Sequence, residues 1–195
     1  MSTTDRPGLD QRRLQRRTRL LEVGVDLLGA AGGPAVSVRA ACRAAGVTER
    51  YFYESFDDRD AYIRAVYAEV GERARAALVS AVAGAEAPTE IAELAVRAFV
   101  ALVLDHPEAG RVLLLAPLRE PALGGRGLEL APSFVVLVQD QLNDVADPDE
   151  RVLRALGLVG ALTSLFIGYL DGTVTVPRET LIRHCLGLLD RASRP

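Results

Sequence analysis

The chain has 195 residues, 49% of them hydrophobic and 25% charged, with a formal net charge of −3. That apolar content excludes wholesale disorder, and the mild acidity excludes a uniformly basic coat for nucleic acid, although a whole-chain sum can hide a local basic patch. Two cysteines and two histidines, at no ligand spacing, leave no reading as a metal site and point to no cofactor.

Taken in chain order, residues 1–10 are polar and read as a disordered arm. A helical pattern begins at Asp10 or Gln11, with Leu14, Leu20, Leu21, Val25, Leu27 and Leu28 at helical spacing. Arg12, Arg13, Arg16, Arg17 and Arg19 crowd its first turns, and Gly32-Gly33-Pro34 is expected to end it. Ser37 suits the N-cap of a short helix over Val38–Ala45, Gly46 suits a left-handed turn, and Thr48 suits the cap of a helix to about Glu54. Asp57 and Asp58 cap a long fourth helix to about Val82, with Tyr62, Val66, Val70 and Leu78 on its apolar face.

Pro88 opens a helix to about Asp105, His106-Pro107 breaks it, and a shorter helix runs to about Ala116. Residues 117–132, with three prolines and three glycines, read as a loop, and Phe134 to Val145 as a helix. Asp147-Pro148 starts a long apolar helix that ends near Leu170, and Pro177 starts the last, to about Ala192. About nine helices and no strand make the chain all-α. Cys42 and Cys185 sit inside apolar helical patterns and read as small buried hydrophobes.

Val152 to Leu170 approaches membrane-spanning length. It carries Arg154, Thr163 and Ser164, and lacks a basic cluster at one end, so it is expected to be a core helix buried on several faces. No apolar leader core stands at the N-terminus, so the expected location is cytoplasmic.

The informative stretch is Ser37 to Tyr62. Val38, Ala41, Ala45, Val47 and Phe52 would form a small core between two short helices, and Ala41, Ala44 and Ala45 would let them cross closely. A second helix held this way offers its first turns to the major groove of DNA, with Glu49, Arg50 and Tyr51 projecting and free N–H groups beside Thr48. The Tyr53 hydroxyl could donate to a phosphate. From Gln11 to Tyr53 there are eight arginines against three acidic residues, a local charge of +5 in a chain that totals −3. The basic face is therefore confined to one end.

This stretch resembles the N-terminal domain of TetR-family repressors. Ser37 matches the cap, Ala45-Gly46-Val47-Thr48 the turn, Phe52-Tyr53 the aromatic pair and Phe56 the closing Phe. Arg59 stands where a phosphate-contacting Lys is usual, and Tyr62 where Leu is usual. The resemblance implies an N-terminal three-helix helix-turn-helix domain over residues 11–57. A larger helical regulatory and dimerisation domain would follow over residues 58–195. It implies that Thr48, Tyr53 and Arg59 bind phosphates and that Arg39, Glu49, Arg50 and Tyr51 face bases or nearby backbone, with Ser37 beside them. Cys42, Arg43 and Tyr51 depart from the usual residues, so a base preference does not transfer.

Family members of this length use the C-terminal helices for dimerisation and for an inducer. The helices from Pro148 and from Pro177 are the candidates for pairing with a twin, and Gly157, Gly160 and Ala161 would let backbones approach. Phe99, Val103, Leu113, Phe134, Leu137, Gln141, Leu162, Phe166 and Tyr169 are candidate contacts for an apolar effector, although their helical apolar spacing fits core better than ligand contact. His106, at the helix break, reads as a hinge or cap residue.

The expected function is a repressor that binds a palindromic operator as a homodimer and is released by a small apolar molecule. The alternatives are a regulator without a small-molecule ligand, or an activator. No Gly-rich phosphate loop, no GxSxG and no metal spacing point to an enzyme, and no membrane partner is expected.

Overall fold

Local capping chemistry sets the first half of the molecule. The computed structural model describes residues 8–33, 35–124, 135–136, 138–140, 142 and 144–193. Residues 1–7 of the expected arm, residues 125–132 of the expected loop, and the candidates Phe134, Leu137 and Gln141 lie outside the described residues.

Among the described residues there are nine α-helices, a 3-10 turn and no strand. They are α1 (Leu9–Leu28), α2 (Val38–Ala45), α3 (Glu49–Tyr53), α4 (Arg59–Val82), α5 (Pro88–Asp105), α6 (Pro107–Leu114), α7 (Ala116–Arg119), the 3-10 turn Pro121–Leu123, α8 (Pro148–Asp171) and α9 (Arg178–Ser193).

The caps agree with the sequence. The Ser37 hydroxyl accepts from the Ala40 N–H at 3.1 Å, and the Asp58 carboxylate from the Ala61 N–H at 2.6 Å. Asp147 accepts from the Asp149 and Glu150 N–H groups at 2.9 and 3.4 Å. Gly46 closes α2 at φ 68°, ψ 34°, a left-handed conformation that costs a glycine nothing. Thr48 holds the N-cap position of α3, but its side chain makes no cap hydrogen bond.

Three boundaries differ from expectation. First, α1 stops at Leu28, before the Gly-Gly-Pro signal. Gly29 runs against the first turn of α6, where a Cβ would press on the Glu108 carbonyl oxygen and stand 2.7 Å from its carbon. Second, residues 117–119 and 121–123 are helical where a loop was expected from Pro117. Pro117 and Pro121 sit at first-turn positions, where a missing N–H costs nothing, and Ala116 and Leu123 are buried. Third, the helix expected to reach Val145 gives way to turns at Asp140, which lets Leu142 and Val145 bury against Ala155.

One large core joins the N-terminal helices to the rest. Leu20, Leu28, Ala41, Phe52, Phe56, Tyr62 and Val66 continue without a break into Val112, Leu113, Ala116 and Leu123. α4 packs on α1, α5, α6 and the 3-10 turn. A second cluster holds Val96, Val100, Val103, Phe166, Leu181, Ile182 and Cys185 between α5, α8 and α9.

The expectation that α8 is buried on several faces is corrected. Only Ala155, Leu158, Phe166 and Gly168 of this helix are buried. Leu153, Leu156, Gly157, Gly160, Ala161 and Ser164 are exposed. Their spacing of three and four residues draws one continuous, mostly apolar stripe down the helix. α8 is also the one helix, among the described residues, long and apolar enough to cross a membrane.

Candidate nucleic-acid interface

The α2–turn–α3 unit is held from below by aromatic packing. Phe52 is fully buried, with Phe56 and Tyr62 beside it, and the three ring centroids lie 4.9–5.4 Å apart at tilted or edge-on angles. Ala41 and Ala45 are buried as expected, while Val38 and Val47 are half-buried against the same core. Ala44, expected in the helix crossing, is exposed, and Cys42 is buried in its place. Tyr62 fits its place in this core because α1 presents Gly24 to it.

With Phe52 pointing inward, its neighbours on α3 must point out. Glu49, Arg50, Tyr51 and Tyr53 are exposed, as are Thr48 at the start of α3, and Ser37 and Arg39 at the start of α2. Arg39 and Arg50 are widely open, with side chains 91% and 86% exposed. Each holds a loose ion pair, Arg39 with Glu49 at 3.6 Å and Arg50 with Glu54 at 3.5 Å. Such exposed pairs are weak and exchange readily for a phosphate or a base edge. Seven of the eight predicted DNA-contacting residues are therefore exposed on or beside α2 and α3. Arg59 is the exception.

The Arg59 guanidinium turns toward the body. Its Nη2 and Nη1 donate to the Glu120 carboxylate at 2.8 and 3.2 Å, and its Nε donates to the Val36 carbonyl at 3.0 Å. Nη1 also pairs with Asp60 at 3.0 Å. Glu120 is only 5% exposed and is, among the described residues, the one buried charged side chain.

Residues that the sequence marks only as positive charge have a second task. Arg13 and Arg17 donate to the Glu54 and Ser55 carbonyls at the end of α3, Arg17 at 3.1 Å. The Arg16 guanidinium lies over the Tyr51 ring at 4.1 Å and 3.6 Å from the Glu54 carboxylate, while Arg17 lies over Phe56 at 4.6 Å. These contacts brace α3 from α1, satisfying helix-end carbonyls and using ring faces. Their spacing (13, 16, 17) marks one face of a helix and is a readable signal. Glu120, distant in sequence, gives no such signal.

Of the candidate effector contacts, Val103, Leu113 and Phe166 are buried in the two cores. Phe99, Leu162 and Tyr169 are half-buried around the second core, and the Phe99 and Phe166 rings meet edge-on at 4.9 Å. Leu113 sits in the first core with the α2–α3 unit, separate from the Val103–Phe166 group. Burial holds both thiols up: that of Cys185 rises to about 11, and that of Cys42 rises by desolvation and then by the nearby Glu49 charge.

No protein-family model matches the sequence, and no curated protein is significantly similar to it. Solved structures are similar over nine-tenths of the chain or more. A TetR-like transcriptional regulator from Rhodococcus sp. RHA1 shares 20% identity over 95% of this chain and 97% of its own, with a TM-score of 0.74. A further transcriptional regulator from Rhodococcus shares 16% over 90% and 95%, at 0.76. The fatty acid degradation regulator FadR from Bacillus halodurans shares 15% over 95% and 96%, also at 0.76. The all-α architecture, with its two short helices around Gly46 and its larger helical body, is the fold of the TetR-like transcriptional regulators.

Proposed function

We propose that the protein is a DNA-binding transcription regulator that reads a palindromic operator as a homodimer. The observation that carries this reading is the exposed cluster of Ser37, Arg39, Thr48, Glu49, Arg50, Tyr51 and Tyr53 on the αL-turned α2–α3 unit. Its side chains can reach base edges and phosphates together, while the fully buried Phe52 fixes their direction. Residues 11–57 act as the reading head and 58–195 as the regulatory and dimerisation part.

One head makes few contacts, so two copies about 34–36 Å apart are needed to read a palindrome. The exposed stripe of α8 from Leu153 to Ser164, with its small Gly157, Gly160 and Ala161, supports pairing with a twin; α9 joins it in a four-helix contact. Repression relieved by a small apolar effector is the working mode, with the half-buried Phe99, Leu162 and Tyr169 as its candidate contacts. An effector can act only by binding differently to two head spacings.

The test is selection of DNA from a random library by the full chain, followed by titration of the selected site against salt. Tight binding to an inverted repeat that weakens steeply with salt is the expected result. Tyr53→Phe then weakens all sequences alike, while Arg50→Ala relaxes preference at one position of each half-site. Equal, weak binding to every sequence would defeat the proposal.

A further inference from the structure

A two-bond ion pair to a buried carboxylate ties the reading head to the body, and the DNA-contact role implied for Arg59 does not use it. Arg59 is the first residue of α4, and its guanidinium makes two parallel hydrogen bonds to Glu120, between α7 and the 3-10 turn. Its remaining Nε reaches the Val36 carbonyl, on the segment that leads into α2. Glu120 is held in turn, accepting from the Ala122 N–H at 3.4 Å. One guanidinium thus joins three segments: the entry to α2, the start of α4 and the end of the α6–α7 region. Separately, the end of α1 meets the body through Gly29, whose bare backbone lies against Glu108 at the start of α6.

We propose that the Arg59–Glu120 pair is a latch that sets the orientation of the reading head on the body. On this view Arg59 is a positioning residue rather than a phosphate ligand. The inference rests on the regulator reading above. A planar bidentate pair fixes direction as well as distance, which a lysine at the same place would not do. Moving Arg59 to a phosphate would leave the Glu120 carboxylate buried without its partner, a severe cost. The latch also gives the body a route to the head besides α4. A shift of α6 or of the 3-10 turn moves Glu120, and Glu120 moves the entry to α2 through Arg59.

The two roles predict opposite signs. If Arg59 served phosphate, Glu120→Gln would free it, and DNA would bind as tightly or more tightly. With a latch, Glu120→Gln and Arg59→Gln each weaken binding to the selected site about tenfold or more, the double variant is no worse than either, and the salt slope is unchanged. If Arg59→Gln removed a bond to phosphate, the salt slope would instead fall by about one.

The same variants are followed without DNA by amide hydrogen exchange of the full chain. The latch predicts exchange about tenfold faster or more, confined to residues 29–40 and the first turn of α4, with Val100 and Val103 in α5 unchanged. Arg59→Lys, which keeps the charge, recovers the protection only in part. Tighter DNA binding by Glu120→Gln, or exchange that rises evenly over the whole chain, would overturn the latch. Failure of the wild-type protein to select any DNA would remove the regulator reading, while the exchange pattern would still decide whether the latch exists.

Discussion

The phenol of Tyr62 lies directly against the bare backbone of Gly24, where a Cβ would stand 2.6 Å from the hydroxyl oxygen. That hydroxyl donates at 2.5 Å to the carbonyl of Leu20, one turn earlier on α1. Burial and the neighbouring Cys42 hold the phenol's pKa far above its ordinary value, so Tyr62 remains a donor throughout the working pH range. Tyr62 packs on Phe52 and Phe56, so the same side chain that joins α4 to α1 also seats α3.

Gly24→Ala is expected to destabilise the fold by about 1–3 kcal/mol, because both neighbours of the new methyl group are packed core atoms. Tyr62→Phe is expected to cost about 1 kcal/mol, the net worth of one hydrogen bond. Urea unfolding of the two variants checks this. A Gly24→Ala protein as stable as the wild type would show that the α1–α4 crossing is looser than described.

Leu156→Glu places a charge in the middle of the exposed stripe on α8, where Leu156 is 55% exposed in the single chain. An exposed position tolerates the change in the monomer, within about 0.5 kcal/mol. If the stripe pairs with a twin, the variant sediments as a monomer, retains its helical circular dichroism and loses tight operator binding. A variant that remains dimeric would place the interface elsewhere.

Both cysteines are expected to resist alkylation in the folded protein. With Cys185 titrating at about 11, only about 1% would be thiolate at pH 9, and the rate should climb only as the pH approaches that value. Cys42 is raised in the same direction. Mass spectrometry after iodoacetamide at pH 8, with and without denaturant, tests this. Rapid modification of the native protein would contradict the burial of these two residues.

Signals contained within a few residues were legible from the sequence alone. Ser37, Gly46 and Asp58 each act on backbone groups at most three or four positions away, so the α2–turn–α3 unit and the start of α4 could be located without knowing the rest of the fold. The outward turn of Arg50 and Tyr53 follows from the inward turn of Phe52, by helical geometry alone. Tertiary structure decided what depends on partners far along the chain. Arg59 meets Glu120 across 61 positions, and α1 ends at Gly29 because Glu108 comes up against it. Pro117 and Pro121, which punctuate a loop when read locally, start turns because Ala116 and Leu123 find a core to enter. The same holds for α8. Its apolar composition was plain, but the choice between burial within one chain and presentation to another surface is made by packing, and packing covers only one side of that helix.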